Sequence, residues 1–339
     1  MKKLPIGQQS FSFIRENDYL YVDKTKYIHD IINENKIVFL SRPRRFGKSL
    51  LVNTMEELFK ANKKIFEGLY VYDKWDFREK YPVIKLDLSK VKSVNPEILE
   101  KRLTNLVLGI ADEFSLNLIN ADSQGMFDEL IIKIYNLFNK RVVVLVDEYD
   151  APLNDNLENL EVFHANRRIL QDFYSILKAN DDYLQFIFLT GVSKIGNVSI
   201  FSKLNNPRDI TLSNDFSTIC GYTYEELEFY FHDYIDLIAK EKSISYGEAI
   251  SKINYWYDGY SWDGENKVYN PFSTMSMLQD KKFKGYWFKT GTTTFLMNRL
   301  KNENTLSPFI RPIHRDERSL TSFEVETTNM VHFYFKQGT

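Results

Sequence analysis

The segment Ile37-Val38-Phe39-Leu40-Ser41-Arg42-Pro43-Arg44-Arg45-Phe46-Gly47-Lys48-Ser49 reads as a buried strand, a tight basic turn and the opening of a helix. Four apolar residues in a row suit a strand covered on both faces. Beyond the turn, Leu50, Leu51, Met55, Leu58 and Phe59 recur at helical spacing over Ser49 to Ala61. A turn of the form G-x-x-x-x-G-K-[ST] between two such elements is a phosphate-binding pattern. Gly47-Lys48-Ser49 fits it, whereas Arg42 stands where the first glycine belongs. With no Cβ, Gly47 lets the backbone wrap closely. The amides of Arg44, Arg45, Phe46, Gly47, Lys48 and Ser49 are then expected to face phosphate oxygens at a helix N-terminus. Lys48 offers a mobile positive charge for β- and γ-phosphates, and the Ser49 hydroxyl a ligand for Mg²⁺. Taken alone, the tripeptide also suits an ordinary surface turn; the strand before it and the helix after it favour the phosphate reading.

Three further apolar runs follow: Val83 to Leu86, Val142 to Val146 and Phe186 to Leu189, with Ile210 to Leu212 as a weaker fifth strand. Between them, Pro96 to Leu108, Met126 to Phe138 and Asn159 to Ala179 carry helical spacing. Strands alternating with helices predict right-handed crossovers and an α/β three-layer sandwich with a mainly parallel sheet. That core is expected over residues 1–215. A threonine followed three residues later by glutamate, Thr223 and Glu226, marks a helix start, and residues 216–339 read as a smaller, mostly helical domain with turn-rich insertions such as Tyr257-Asp258-Gly259-Tyr260.

The third run ends in Asp147-Glu148-Tyr149-Asp150. A buried strand tipped with carboxylates presents them where open parallel sheets place their ligands. Asp147 suits Mg²⁺ and Glu148 the polarisation of an attacking water, the plain alternative being a solvated acidic turn. Asp150 reads as a helix cap or turn residue. The fourth run ends in Thr190-Gly191-Val192-Ser193; Thr190 is the candidate for sensing a γ-phosphate or orienting water, with Ser193 in reserve. No Asn-Lys-x-Asp element for guanine is present, which favours adenine.

Composition sets the limits around these motifs. The 339 residues carry 44 Lys+Arg against 46 Asp+Glu, a net charge of -2 that does not suit a nucleic-acid coat protein. The first 65 residues are locally basic, with 13 Lys/Arg against 7 Asp/Glu, which leaves nucleic-acid engagement a minor expectation. One cysteine, Cys220, excludes an intramolecular disulfide framework, and five scattered histidines give no Cys/His zinc cluster. The N-terminus lacks the apolar stretch of a signal peptide, and no run reaches the roughly 18 apolar residues of a membrane span. The expected location is the cytoplasm.

Leu4-Pro5-Ile6-Gly7, Tyr21-Val22-Asp23-Lys24-Thr25, Arg42 to Ser49, Val146 to Asp150, Leu189 to Lys194 and Tyr269-Asn270-Pro271-Phe272 occur in this order. The chain thereby resembles the bacterial AAA-ATPase-like family, related to archaeal-type STAND ATPases. The resemblance implies a P-loop NTPase core of the additional-strand class, in which an extra strand separates the phosphate-loop strand from the acidic one. It also implies a helical or winged-helix-like lid, and an Arg-Pro-Arg-Arg run in place of the first glycine. Lys48 and Ser49 take the phosphate-loop roles by this resemblance, and Asp147 and Glu148 the metal and water-activating ones. Gly291-Thr292-Thr293 departs from it where relatives have proline at the third position. Relatives often continue into a PD-(D/E)xK nuclease domain. With the sequence stopping at Thr339, no such domain and no nuclease activity are expected here, and the loose matches Glu34-Asn35-Lys36, Glu265-Asn266-Lys267 and Asp280-Lys281-Lys282 lie on no convincing buried strand.

The expected activity is Mg²⁺-dependent ATP hydrolysis coupled to lid movement or to control of a protein partner, with a nucleotide-gated switch of little turnover as the alternative. A homo-oligomer fits either reading. An arginine finger would speed hydrolysis, and the sequence does not identify one; Arg44, Arg45, Arg167, Arg168 and Arg208 all stay open for that role.

Overall fold

The computed structural model describes residues 1–286 apart from 155, 158 and 193–206. Two helices, α1 (Phe11–Glu16) and α2 (Thr25–Glu34), precede the first strand β1 (Ile37–Ser41), which leads through the basic turn into α3 (Lys48–Phe59). Next come β2 (Val83–Asp87), α4 (Pro96–Glu113), α5 (Ser123–Phe138), β3 (Val142–Asp147), the short α6 (Ala151–Asn154), α7 (Leu160–Ala179) and β4 (Leu184–Gly191). A two-residue strand β5 (Arg208–Asp209) completes a five-stranded sheet in the order β2-β3-β4-β1-β5, every pairing parallel. β4 therefore lies between β1, which feeds the turn, and β3, which ends in the acids. This is an α/β sandwich of the P-loop NTPase type.

The unbroken apolar runs make sense from the layers. In β3, Val142, Val144 and Val146 join a core with α4, α5 and α7, whereas Val143 and Leu145 join a second core with α1, α2 and α3. Each strand must bury both of its faces, so neither face tolerates the polar alternation of a half-exposed sheet. Side-chain oxygens fix the helix starts: Asn95, Asp122 and Asn159 accept from backbone amides of the first turns of α4, α5 and α7.

Some boundaries differ from expectation. The helix expected from Ser49 begins one residue earlier and ends at Phe59, where the chain turns through Ala61 at φ +58°. Helix α4 runs on to Glu113, beyond the expected Leu108, and α5 begins at Ser123 rather than Met126. The fifth strand pairs through Arg208 and Asp209 instead of Ile210 to Leu212. Asp209 Oδ1 accepts from the Thr211 amide at 3.0 Å, so an Asx-type turn ends the ladder as the apolar run begins.

Helices α8 (Tyr224–Glu241), α9 (Tyr246–Tyr257) and α10 (Pro271–Asp280) follow, with an antiparallel hairpin of β6 (Tyr260–Ser261) and β7 (Lys267–Val268) between α9 and α10. The capping box at Thr223 and Glu226 is formed, as is a second one at Ser245 and Glu248. A third core joins these helices to Leu20 and Val22 from the N-terminal segment. The same junction is tied by Lys24, whose Nζ donates to both Glu226 carboxylate oxygens (2.5 and 2.6 Å) and to the Thr218 carbonyl (2.8 Å). No helix among the described residues is long and apolar enough to cross a membrane.

Candidate functional site

The turn between β1 and α3 has two residues in the left-handed region, Arg45 at φ +69° and Gly47 at φ +93°. A Cβ added at Gly47 would meet nothing within 4 Å, so the backbone angle, not crowding, calls for glycine there. Arg45 holds a similar angle with a side chain, at a cost of about 1 kcal/mol.

Arg42 is fully buried beneath the turn. Its guanidinium donates to the carbonyls of Ser41 (2.8 Å), Thr211 (2.7 Å) and Phe216 (3.2 Å), and stacks 4.5 Å from the Trp262 ring of the hairpin region. Burial lowers its pKa to about 10, which still leaves it cationic at neutral pH. Where the pattern has glycine, this chain has an internal brace tying the turn to residues 211–216 and to Trp262. Phe46 reinforces it with edge contacts to Tyr260 and Trp262, and Arg45 stacks 3.9 Å from the ring of Phe272 on α10.

Lys48, the first residue of α3, is 4% exposed, and its Nζ donates to the carbonyls of Arg42 (2.8 Å) and Pro43 (3.1 Å). Burial lowers its pKa, while the fields of Glu148, Asp147 and Asp150 act against that shift. The turn and the acids thus belong to one electrostatic neighbourhood. Ser49 is half-buried, one residue further into α3.

At the tip of β3, Asp147 is buried and its Oδ1 accepts a 2.6 Å hydrogen bond from the hydroxyl of Thr190 on β4. Glu148 adopts φ +52°, a left-handed conformation that turns the chain out of the strand. Its carboxyl pKa is raised, first by burial and then by Asp147 and Asp150, against the attraction of Lys48 and Arg44. Asp150 is buried and accepts from the Val192 amide with both oxygens at 3.2 Å, bracing the exit of β4. Ser193, Lys194 and Gly291-Thr292-Thr293 lie outside the described residues.

A cleft of about 550 Å³ opens over the turn. Its walls include Pro5 and Gly7 of the N-terminal segment, Arg44 to Ser49, Glu148, Tyr222, and Phe272 of α10. A larger groove of about 1110 Å³ runs along the edge strand β2 and is bordered by Ser49 and Asp147. Several of its ionic side chains are paired with one another or with neighbours: Glu56 takes Lys60 and Lys85, and Glu79 takes Lys140. The smaller cleft, which gathers Lys48, Ser49 and Glu148, is the better candidate for phosphate chemistry. Ser49 borders both spaces, sharing the larger one with Asp147 and the smaller one with Glu148. No group of three or more His, Cys, Asp or Glu suited to a metal exists among the described residues. One hydroxyl and one carboxylate fit Mg²⁺, which keeps several waters and takes its remaining oxygens from phosphates.

The structure brings together Arg44 to Ser49, Asp147, Glu148 and Thr190. It separates the other arginines from them: Arg208 lies beside Val38 and pairs with Glu34 at 3.0 Å, while Arg167 and Arg168 sit on α7 and line neither cavity. Sequence reasoning missed the inward course of Arg42 and the bridge from Lys24 to Glu226. Arg42 read only as a replacement for the first glycine, and no local pattern marked its side chain as turning inward.

A family model described as Predicted AAA-ATPase, AAA-ATPase_like, matches residues 5–201. An uncharacterized protein in the vnfD 5' region of Azotobacter chroococcum mcd 1 is 37% identical over 338 residues, 99% of this chain and 63% of the relative. The chain thus spans less than two thirds of that relative's length.

Proposed function

This chain belongs to the AAA-ATPase-like family, and from that premise we propose that it binds Mg-ATP and hydrolyses it to ADP and phosphate. In this reading Lys48 and the amides from Arg44 to Ser49 hold the β- and γ-phosphates. Ser49 and Asp147 would hold Mg²⁺, which would supply charge neutralisation. Glu148 takes the proton of the attacking water, and Thr190 fixes the Asp147 carboxylate and the water's position. The observation that carries the proposal is the position of β4 between β1 and β3. It sets the turn and the acidic tip about two strand spacings apart, ~10 Å, on the same edge of the sheet, with Thr190 between them. That span accommodates a γ-phosphate and one water.

A second part of the proposal is coupling between residues 1–215 as core and 216–339 as lid. Its support is the set of ring contacts from the turn to the hairpin and α10: Arg42 on Trp262, Phe46 on Tyr260 and Arg45 on Phe272. A nucleotide that repositions the turn must displace those rings. The same contacts favour the alternative of a switch with little turnover, in which occupancy alone sets the lid and its access to a protein partner.

The test measures ATP binding and phosphate release on the wild-type chain, Lys48→Ala and Glu148→Gln. Loss of both in Lys48→Ala, and retained binding with abolished release in Glu148→Gln, supports the hydrolase. Unchanged turnover in both variants refutes it. Binding followed by a single turnover at most, in the wild type, selects the switch.

A further inference from the structure

We propose that Arg44 is the cation that meets the transferred phosphate, supplied by the phosphate turn of the same chain rather than by a neighbouring subunit. This rests on the hydrolysis reading above. The argument begins with the engaged side chains of the turn. Arg42 is buried under it, Arg45 is stacked on Phe272, Phe46 is packed on Tyr260 and Trp262, and Lys48 is bonded to two carbonyls. Arg44 is exposed and, alone among the charged residues from Arg42 to Lys48, makes no hydrogen bond, ion pair or ring contact with a described residue. It nevertheless lines the cleft that Lys48, Ser49 and Glu148 line. The left-handed turn at Arg45 helps separate the two adjacent arginines, one engaged by α10 and the other left at the cleft.

The chemistry needs such a charge. A lone pair of the water oxygen forms the new bond to the γ-phosphorus, and the bond from that phosphorus to the bridging oxygen breaks, leaving its electron pair on the β-phosphate of ADP. The water's proton passes to Glu148 and from there to solvent. Negative charge builds on the bridging and equatorial oxygens during the transfer, and a planar guanidinium can pair with two of them at once. An exposed arginine with no partner among the described residues sacrifices no contact with them in turning to that position.

The experiment compares the wild-type chain with Arg44→Ala and Arg44→Lys for three readouts: affinity for a fluorescent ATP analogue, phosphate release, and thermal stabilisation by Mg-ADP with aluminium fluoride. The expected result for Arg44→Ala is analogue affinity within about threefold, turnover lower by roughly 100- to 1000-fold, and loss of the extra stabilisation by aluminium fluoride. Added guanidinium ion restores part of the turnover, and wild-type specific activity is constant over a hundredfold range of protein concentration. Arg44→Ala turnover within twofold of wild type, equal aluminium fluoride stabilisation in both chains, or specific activity that climbs with concentration overturns the assignment while leaving hydrolysis standing. A wild-type chain that binds no nucleotide overturns both.

Discussion

The hydroxyl of Thr190 and the carboxylate of Asp147 meet at 2.6 Å, joining the tips of β4 and β3 inside the protein where neither residue is appreciably exposed. A hydrogen bond to a charged acceptor in such a place contributes about 1.5–3 kcal/mol. Thr190→Val keeps the volume and removes the donor. The expected outcome is an ATP affinity within about threefold of wild type and a turnover lower by about 10- to 100-fold, read from binding and phosphate-release assays.

The raised carboxyl of Glu148 gives a pH signature. As a base it works only when ionised, so turnover falls on acidification at a higher pH than the ordinary glutamate value of 4.5. Stability carries the opposite mark. The folded chain holds this proton more tightly than the unfolded one, so stability declines as pH rises from the unfolded value through the raised folded value. Glu148→Gln therefore melts higher than wild type at neutral pH, and the difference closes below about pH 4. A melting difference independent of pH would contradict the assigned environment.

Arg42→Gly restores the glycine of the general phosphate-loop pattern and is nevertheless expected to harm the protein. It strips donors from the Ser41, Thr211 and Phe216 carbonyls and removes the stack on Trp262. The cost is about 2–4 kcal/mol in urea unfolding. Arg42→Lys recovers little of it, because a single ammonium cannot reproduce the planar fork.

The pair formed by Lys24 and Glu226 is buried enough that breaking one side leaves an uncompensated charge. Lys24→Met is expected to cost about 3–5 kcal/mol, and adding Glu226→Gln to return part of that loss. A chemical-denaturation cycle over the two single variants and the double variant gives the coupling directly; additive effects would show that the pair does not act as a unit.

Much of this could be read in advance because strands buried on both faces leave little choice of residue. Val142 to Val146 and Phe186 to Leu189 announce themselves by apolar continuity alone. The polar groups at their ends follow from the way parallel sheets present ligands. Helix ends and the short β5 were less legible, since they turn on single side-chain bonds such as Asp209 to Thr211. Arg42 was the least legible of all. Its acceptors at Thr211 and Phe216 and its aromatic neighbour Trp262 are distant in sequence, and no local pattern distinguishes an inward guanidinium from an outward one.

Gly191 makes the last point. A Cβ there would lie 2.5 Å from the Tyr149 ring and 2.8 Å from the Asp150 carboxylate, and the same ring sits edge-on to Phe39 at 5.5 Å. One aromatic ring is thereby packed between the middle of β1 and the end of β4, beside the residues that follow β3. The carboxyl ends of neighbouring strands are packed as one floor, and a side chain at position 191 would pry it open.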